Sequence, residues 1–186
     1  REGSNLTLAA RHATGNTALV SISHPSVLRQ LGKGDSVFLQ DGAIKLDVER
    51  ATNREAVCRV IRGGTLFSGK GVNLPEKRLS LRPLTPKDVS LMRLPWKNGA
   101  DFVGLSFTTS ARDVVRANRI ASRIAKQASR RAWIVAKIEN HEAVENFDEI
   151  VREADGVMVA RGDLGIETGL DDIPLLQKRI IEKANA

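Results

Sequence analysis

Three charged residues, Lys137, Glu139 and Asp163, stand where two short apolar runs end, and together they could do chemistry. The apolar runs are residues 133–136 and 157–160. A lysine that directly follows a buried strand is costly unless it meets an anion, and two nearby carboxylates are costly unless they meet a cation. Magnesium together with a phosphorylated substrate would satisfy all three groups at once. The residue types therefore predict a magnesium-dependent site for a phosphorylated molecule.

A parallel sheet would bring these residues together. The two apolar runs are joined by a segment of helical length whose apolar residues have helical spacing. These residues are Ala143, Val144, Phe147, Ile150 and Val151. Strand, helix, strand is the unit of a parallel sheet, and functional groups collect at the carboxyl ends of its strands. Gly162 permits a close backbone approach there, and the N–H groups of Gly162 and Asp163 lead towards a turn that could hold a carboxylate or phosphate.

The two motifs around these residues closely resemble the active-site segment of pyruvate kinases. They read AKIENHEAVENFDEI from Ala136 and VMVARGDLGIE up to Glu167. The resemblance implies transfer of a phosphoryl group from phosphoenolpyruvate to ADP, which gives pyruvate and ATP in glycolysis. It also implies three roles: Lys137 neutralises the phosphoryl group and the developing enolate, Glu139 and Asp163 bind Mg²⁺ or Mn²⁺, and Ala160, Gly162 and Asp163 line the pocket for the substrate carboxylate. Glu139 and Asp163 could instead be helix caps, since both precede helices or turns.

The chain divides by pattern into an all-β part and an α/β part. Residues 36–61 alternate as short strands, with Asp41-Gly42 as a two-residue hairpin signal, which predicts a small β-barrel or sandwich. After Pro83 the pattern predicts one helix, which begins at Thr85-Pro86, and then three strand–helix units. The resemblance implies a barrel-like lid domain at residues 1–74. It places part of a (β/α)8 TIM barrel, the fourth to sixth βα units, at residues 75–186.

Two residues of the β part are candidate contacts to a nucleotide or phosphate. Asp41 resembles the aspartate that opens towards the nucleotide in pyruvate kinases, although turn chemistry alone also explains it. The segment at residues 64–71 nearly spells a Walker A loop, but Gly71 stands where Ser or Thr should bind magnesium, and Pro75 prevents the required helix. The phrase SGKGVNLP resembles instead the return from lid to barrel in pyruvate kinases. Lys70 is therefore a candidate phosphate contact, with a solvated loop lysine as the alternative.

The composition and the charge pattern restrict the classes of partner that we expect for this chain. The formal charge is +7, but the cations are scattered on predicted helix faces without interleaved aromatic residues, so we expect no nucleic-acid partner. No apolar stretch approaches the length of a membrane span and no signal-like N-terminus is present, so we expect a cytoplasmic protein without a membrane partner. The single cysteine, Cys58, excludes an internal disulfide and is expected to be packed in a strand.

Parts of the resembled family have no counterpart here. No segment resembles the first three barrel strands, which in pyruvate kinases carry potassium ligands. A role for K⁺ is compatible with the resemblance, but its ligands are not in this chain. An opened barrel would expose apolar side chains, so we expect the chain to need the rest of the barrel or a partner chain, and a homo-oligomer is compatible. Phe107 is followed by Thr108-Thr109-Ser110 where the family usually offers a basic residue. Two alternatives therefore stay open: a catalytically inactive module for binding or assembly, and a magnesium-dependent keto-acid lyase or aldolase.

Overall fold

The computed structural model describes residues 1–75, 77, 84–94, 98–128 and 132–186. The chain forms two compact units, Arg1–Leu79 and Ser80–Ala186. Pro83, after which the sequence predicts the α/β part, lies outside the described residues.

The first unit is built on a six-stranded sheet in the order β2-β1-β5-β4-β3-β6. Its elements are β1 Asn5–Ala9, β2 Leu19–Ser21, a 3-10 helix Pro25–Gln30, β3 Ser36–Leu39, β4 Ile44–Ala51, β5 Glu55–Arg62 and β6 Val72–Asn73. All neighbours are antiparallel except β1 and β2, which run parallel. The short strands predicted over residues 36–61 are confirmed as β3, β4 and β5, which pair as antiparallel neighbours in chain order.

Alternation along β4 and β5 builds the core of this sheet. Successive side chains of a strand point to opposite faces, so every second residue is buried. Leu46 pairs with Val60, and Val48 pairs with Cys58. Cys58 is fully buried, which confirms the packed strand thiol, and burial raises the pKa of this thiol to about 12.

The turn between β3 and β4 is wider than the predicted two-residue hairpin. Leu39 pairs with Ile44, so four residues connect the strands. Gln40, Asp41 and Gly42 all adopt left-handed backbone conformations, with φ of 54°, 56° and 82°. The wider turn leaves the carbonyl oxygens of Gly42 and Ala43 accessible, and the Arg62 guanidinium of β5 donates to both.

The second unit is an α/β fold on a three-stranded parallel sheet in the order β7-β8-β9. Its elements are α1 Pro86–Leu91, β7 Phe102–Leu105, α2 Ala111–Ala128, β8 Trp133–Ile138, α3 His141–Glu145, α4 Phe147–Glu153, β9 Gly156–Val159, α5 Arg161–Thr168, a 3-10 helix Leu170–Asp172 and α6 Ile173–Ala184. The predicted start of α1 is confirmed: Thr85 and Asp88 form a capping box, with Pro86 in the first turn.

One face of the parallel sheet packs under the helices. Ile134, Ala136 and Ile138 of β8 are fully buried on this face. Val114 of α2 and Ile150 of α4 are fully buried in the same hydrophobic cluster. The helix expected between β8 and β9 is in fact two short helices, α3 and α4, which meet at Asn146.

The opposite face of this sheet is open. Phe102, Trp133 and Met158 are 61%, 55% and 50% exposed. Phe102 and Trp133 pack edge to face with ring centroids 5.8 Å apart. The expected exposure of apolar strand side chains is therefore confirmed for this part of the chain. None of the helices among the described residues is both long enough and apolar enough to cross a membrane.

Candidate functional site

Lys137 lies near the carboxyl end of β8 and reaches towards β7. Its Nζ donates a hydrogen bond to Ser106 Oγ at 3.0 Å and lies 2.8 Å from Glu139 Oε2. The lysine stem passes over Gly104 of β7, where a Cβ would lie at ordinary contact distance, 3.7 Å, from Lys137 Cδ. The lysine side chain is 24% exposed. The ammonium group is therefore held at the open face, where a ligand can approach it.

The carboxylate of Glu139 is buried and its two oxygens differ. The side chain is only 5% exposed. Oε1 accepts a hydrogen bond from the Phe107 backbone N–H at 2.6 Å. Oε2 is buried and, among the described residues, has no hydrogen-bond donor, because the Lys137 ammonium contacts it without hydrogen-bond geometry. The ammonium group compensates the charge of this oxygen, and the lone pairs of the oxygen are free of hydrogen bonds and suit a hard cation.

Glu139 is not a helix cap, so that alternative is wrong for this residue. The N-cap of α3 is Asn140, whose side-chain oxygen accepts a hydrogen bond from Ala143 N at 2.8 Å. Asp163 is not the N-cap of α5 either, because Ala160 occupies that position without a side-chain cap; Asp163 is a partly buried acid in the first turn. An acid at this position interacts favourably with the helix dipole.

The start of α5 presents backbone donors. Ala160, buried at the N-cap position, makes no side-chain cap, and Leu164 is the first amide that bonds back, to Ala160 O at 2.9 Å. The N–H groups of residues 161–163 are thus the orphan donors of a helix N-terminus. Gly162 is exposed, and a Cβ placed on it would meet nothing within 4 Å. This end of the helix has the donors and the space to bind an anion.

The sheet register brings the ends of β8 and β9 to one edge. Ile138 pairs with Val159, and the N–H of Ala160 donates to Ile138 O at 3.0 Å. Helix α3, which follows Glu139, contacts helix α5, which carries Asp163. The described part of the chain has no group of three or more His, Cys, Asp or Glu side chains that could hold a metal ion. Two carboxylates at one edge suit Mg²⁺, which binds through one or two carboxylates and takes its other ligands from water and phosphates.

Glu167 is a neighbour of this edge that the sequence did not single out. It lies one helical turn after Asp163 on α5. Burial, and then the negative charge of Asp163, raise the pKa of the Glu167 carboxyl from 4.5 to about 7. The spacing of four residues on one helix was the available signal, because it places two acids on the same helix face.

Ser106 and Phe107 were also missed as contacts of the charged pair. Both follow β7 directly, and β7 lies beside β8 in parallel register. The signal was their position, since the residues that end neighbouring parallel strands lie at the same edge of the sheet.

Asp41 and Lys70 belong to the first unit and are both exposed. The backbone joins their segments: Gln40 N donates to Gly71 O at 3.1 Å. A Cβ placed on Gly71 would lie 3.9 Å from Asp41 Oδ1. These two candidate residues therefore share one end of the first sheet, while Lys137, Glu139, Ala160, Gly162 and Asp163 share one edge of the second.

A shallow groove of about 330 Å³ runs along α2, and none of the candidate site residues lines it. It is lined by Ala111, Arg112, Val115, Arg116 and Arg119. The arginines are the scattered helix-face cations expected from the sequence, and none of them belongs to the candidate site.

Comparison with known proteins gives one family. The family model for "Pyruvate kinase, barrel domain" matches residues 1–186. A pyruvate kinase of Thermococcus litoralis is 38% identical over 185 residues, which are 100% of this chain and 38% of that protein. A pyruvate kinase of Geobacillus stearothermophilus is 37% identical over 187 residues, 100% of this chain and 31% of that protein. Pyruvate kinase 2 of Synechocystis is 38% identical over 187 residues, with the same two shares. The chain thus spans roughly a third of the length of these relatives.

Proposed function

The chain belongs to the pyruvate kinase family, and we propose that it carries part of a site that transfers the phosphoryl group of phosphoenolpyruvate to ADP, giving pyruvate and ATP. One observation carries the proposal: a partly buried lysine lies 2.8 Å from a buried carboxylate oxygen that has no hydrogen bond in the described chain. Such a pair is poised to exchange partners, the lysine for a phosphate and the carboxylate for a metal ion. Because the chain spans between 31% and 38% of the relatives compared, the complete reaction is proposed for the longer protein.

The architecture supports a role as one portion of a larger barrel. We propose that the three parallel strands of the second unit are the central part of a (β/α)8 barrel, and that the first unit, expected at residues 1–74, is its lid domain. The exposed face that carries Phe102, Trp133 and Met158 would then be covered by the remaining barrel units or by a partner chain. Ligands for potassium, if the reaction needs it, would come from those parts.

Glu139 and Asp163 fit a divalent cation, Mg²⁺ or Mn²⁺. Glu139 supplies a buried oxygen without a hydrogen bond, and Asp163 lies in the first turn of a helix at the same sheet edge. When bound, the cation would neutralise charge on the transferring phosphoryl group. The cation would also neutralise the Glu139 carboxylate in place of Lys137, so that the lysine could leave the carboxylate for the substrate.

The remaining residues would bind and orient the substrate. The N–H groups at the start of α5, around Ala160, Gly162 and Asp163, would accept the substrate carboxylate, since the helix dipole favours an anion there. Lys137 would place its positive charge against the phosphoryl oxygens and then against the enolate oxygen. The Ser106 hydroxyl, which accepts a hydrogen bond from the ammonium group, would orient that group. In the first unit, Lys70 and Asp41 would contribute to nucleotide or phosphate binding.

A magnesium-dependent titration of phosphoenolpyruvate tests this proposal. Calorimetry would compare the 186-residue chain with its Lys137→Met and Glu139→Gln variants, while pyruvate formation from phosphoenolpyruvate and ADP is followed in parallel. Lys178→Met and Glu182→Gln are matched controls, because both residues are exposed on α6. We expect the parent chain to bind phosphoenolpyruvate only when magnesium is present. The affinity should fall at least about tenfold in the site variants and stay unchanged in the controls.

The outcomes separate the alternatives. Binding without turnover by this chain supports the half-site and assigns the chemistry to the remaining barrel. Equal binding by the parent and both site variants refutes the proposal and favours an inactive binding or assembly module. Metal-dependent cleavage of a keto acid, without binding of phosphoenolpyruvate, would favour the lyase or aldolase alternative.

A further inference from the structure

We propose that the turn at residues 107–110 is a positioning element, which aims the Glu139 carboxylate so that one oxygen is left for a cation. The inference deepens the proposed function, since Glu139 is the proposed metal ligand. It concerns the segment Phe107-Thr108-Thr109-Ser110, which has no basic residue and takes no direct part in the chemistry proposed above.

Phe107 has a strained backbone conformation that its side chain does not explain. Its φ is 55°, in the left-handed region that bulky side chains rarely adopt. Phe107 is 61% exposed, so hydrophobic burial does not account for this conformation. This angle turns the chain sharply after β7, at the residue whose N–H donates the 2.6 Å hydrogen bond to Glu139 Oε1. Strain of this kind persists only where surrounding contacts hold it.

Contacts within the turn and with the neighbouring ends of β7 and α2 hold it on one side. The Asp113 carboxylate, in the first turn of α2, accepts hydrogen bonds from the N–H groups of Thr109 at 3.0 Å and Ser110 at 3.1 Å. The Thr109 hydroxyl donates to the same oxygen at 3.1 Å. Thr108 is fully buried, and its hydroxyl donates to Leu105 O at 2.9 Å. The turn is therefore anchored to the end of β7 and the start of α2.

Two asparagines hold the turn on the other side. Asn140 follows Glu139 in the chain, and its Nδ2 donates to Thr108 O at 3.1 Å. Asn146 lies between α3 and α4, and its Nδ2 donates to Thr109 O at 2.8 Å. Both therefore tie the turn to the segment that carries Glu139. With the turn fixed, the Phe107 N–H occupies Oε1, and Oε2 remains for Lys137 or a metal ion.

Asn146 allows a clean test. It is the N-cap residue of α4 but makes no side-chain cap hydrogen bond there, so its amide serves the turn. Asn146→Ala removes the donor, and Asn146→Asp keeps the size and a favoured N-cap residue while it also loses the donor. Asn98→Ala is the matched control, since the Asn98 Nδ2 likewise donates to one backbone carbonyl, Leu94 O, at 2.9 Å.

Two measurements on the 186-residue chain decide the proposal. The first is the amide proton chemical shift of Phe107, which reports its hydrogen bond to a carboxylate without any metal. The second is the dissociation constant for Mn²⁺ alone, measured by electron paramagnetic resonance of the free ion. We expect both Asn146 variants to move the Phe107 amide resonance upfield and to weaken Mn²⁺ binding about three- to tenfold, because residues that orient metal ligands affect metal affinity on this scale. Asn98→Ala should change neither value.

Each other outcome has a definite meaning. A Phe107 resonance that is the same in the parent and in both folded Asn146 variants overturns the positioning role. A resonance that moves while Mn²⁺ affinity stays constant overturns the claim that the turn serves a cation. A parent chain that binds no Mn²⁺ overturns Glu139 as a metal ligand in the proposed function, and the amide resonance then still decides whether the turn positions its carboxylate.

Discussion

Removing the positive charge of Lys137 should destabilise the second unit through the carboxylate that it leaves behind. In Lys137→Met, Glu139 keeps its hydrogen bond from Phe107, but Oε2 loses the ammonium group at 2.8 Å. Breaking a buried pair by removing one partner costs about 3–5 kcal/mol. The lysine side chain is 24% exposed, so solvent screens part of the interaction, and we expect a loss of about 2–3 kcal/mol.

A double-mutant cycle tests where that cost arises. Glu139→Gln in the Lys137→Met background removes the uncompensated charge, so the double variant should recover much of the lost stability. The expected coupling energy between the two positions is about 1.5–3 kcal/mol. Urea unfolding followed by tryptophan fluorescence is a suitable assay, because both tryptophans of the sequence, Trp96 and Trp133, fall within the second unit's range.

The result that refutes this reasoning is equally specific. If Lys137→Met costs less than about 0.5 kcal/mol, the pair behaves as a solvated surface pair, and Glu139 is not a buried charge that awaits a cation. The exposed Lys178→Met variant gives the baseline, since surface substitutions away from such contacts change stability within about 0.5 kcal/mol.

Two further predictions rest on shifted pKa values. The pKa of Glu167 is raised to about 7 in the folded chain from 4.5, so its contribution to stability is fully present below pH 4.5 and is lost as pH rises through 7. Glu167→Gln should therefore be more stable than the parent at pH 8, with the difference vanishing near pH 4.5; a difference in unfolding free energy that is independent of pH would contradict this. Because burial raises the pKa of Cys58 to about 12, the native chain should not react with a thiol reagent at pH 8 and should expose one thiol per chain in urea. Rapid labelling of the folded chain at pH 8 would show that this strand opens readily.

Much of the local structure was predictable because it depends on spacing within one segment. The alternation of Leu46, Val48 and their neighbours predicts β4, and Thr85-Pro86 predicts the start of α1. The strand–helix–strand pattern also predicts that Lys137 and Glu139 lie at a strand's carboxyl end. These features need no knowledge of the rest of the chain, since neighbouring residues impose them.

What depends on partners far away in the chain was not predictable. The parallel pairing of β1 with β2 has no local signature, because a parallel register depends on the connection between strands. The break between α3 and α4 falls at Asn146, whose side chain bonds to Thr109, 37 positions earlier. A helical hydrophobic pattern runs through that break unchanged, so the sequence predicts one helix where the structure has two.

The same division holds at the candidate site. Residue types and their positions were enough to identify the lysine and the two acids as candidates. Charged groups at the end of a buried strand need partners of opposite charge, and this need is visible in the sequence. Only the tertiary structure decided that Glu139 Oε1 is occupied by the Phe107 N–H, 32 positions earlier, while Oε2 has no hydrogen bond in the described chain. This hydrogen bond depends on the turn that follows β7, with its left-handed backbone angle at Phe107, and on the register of β7 against β8. Neither quantity is encoded in a local pattern, since both arise when separate segments pack against each other.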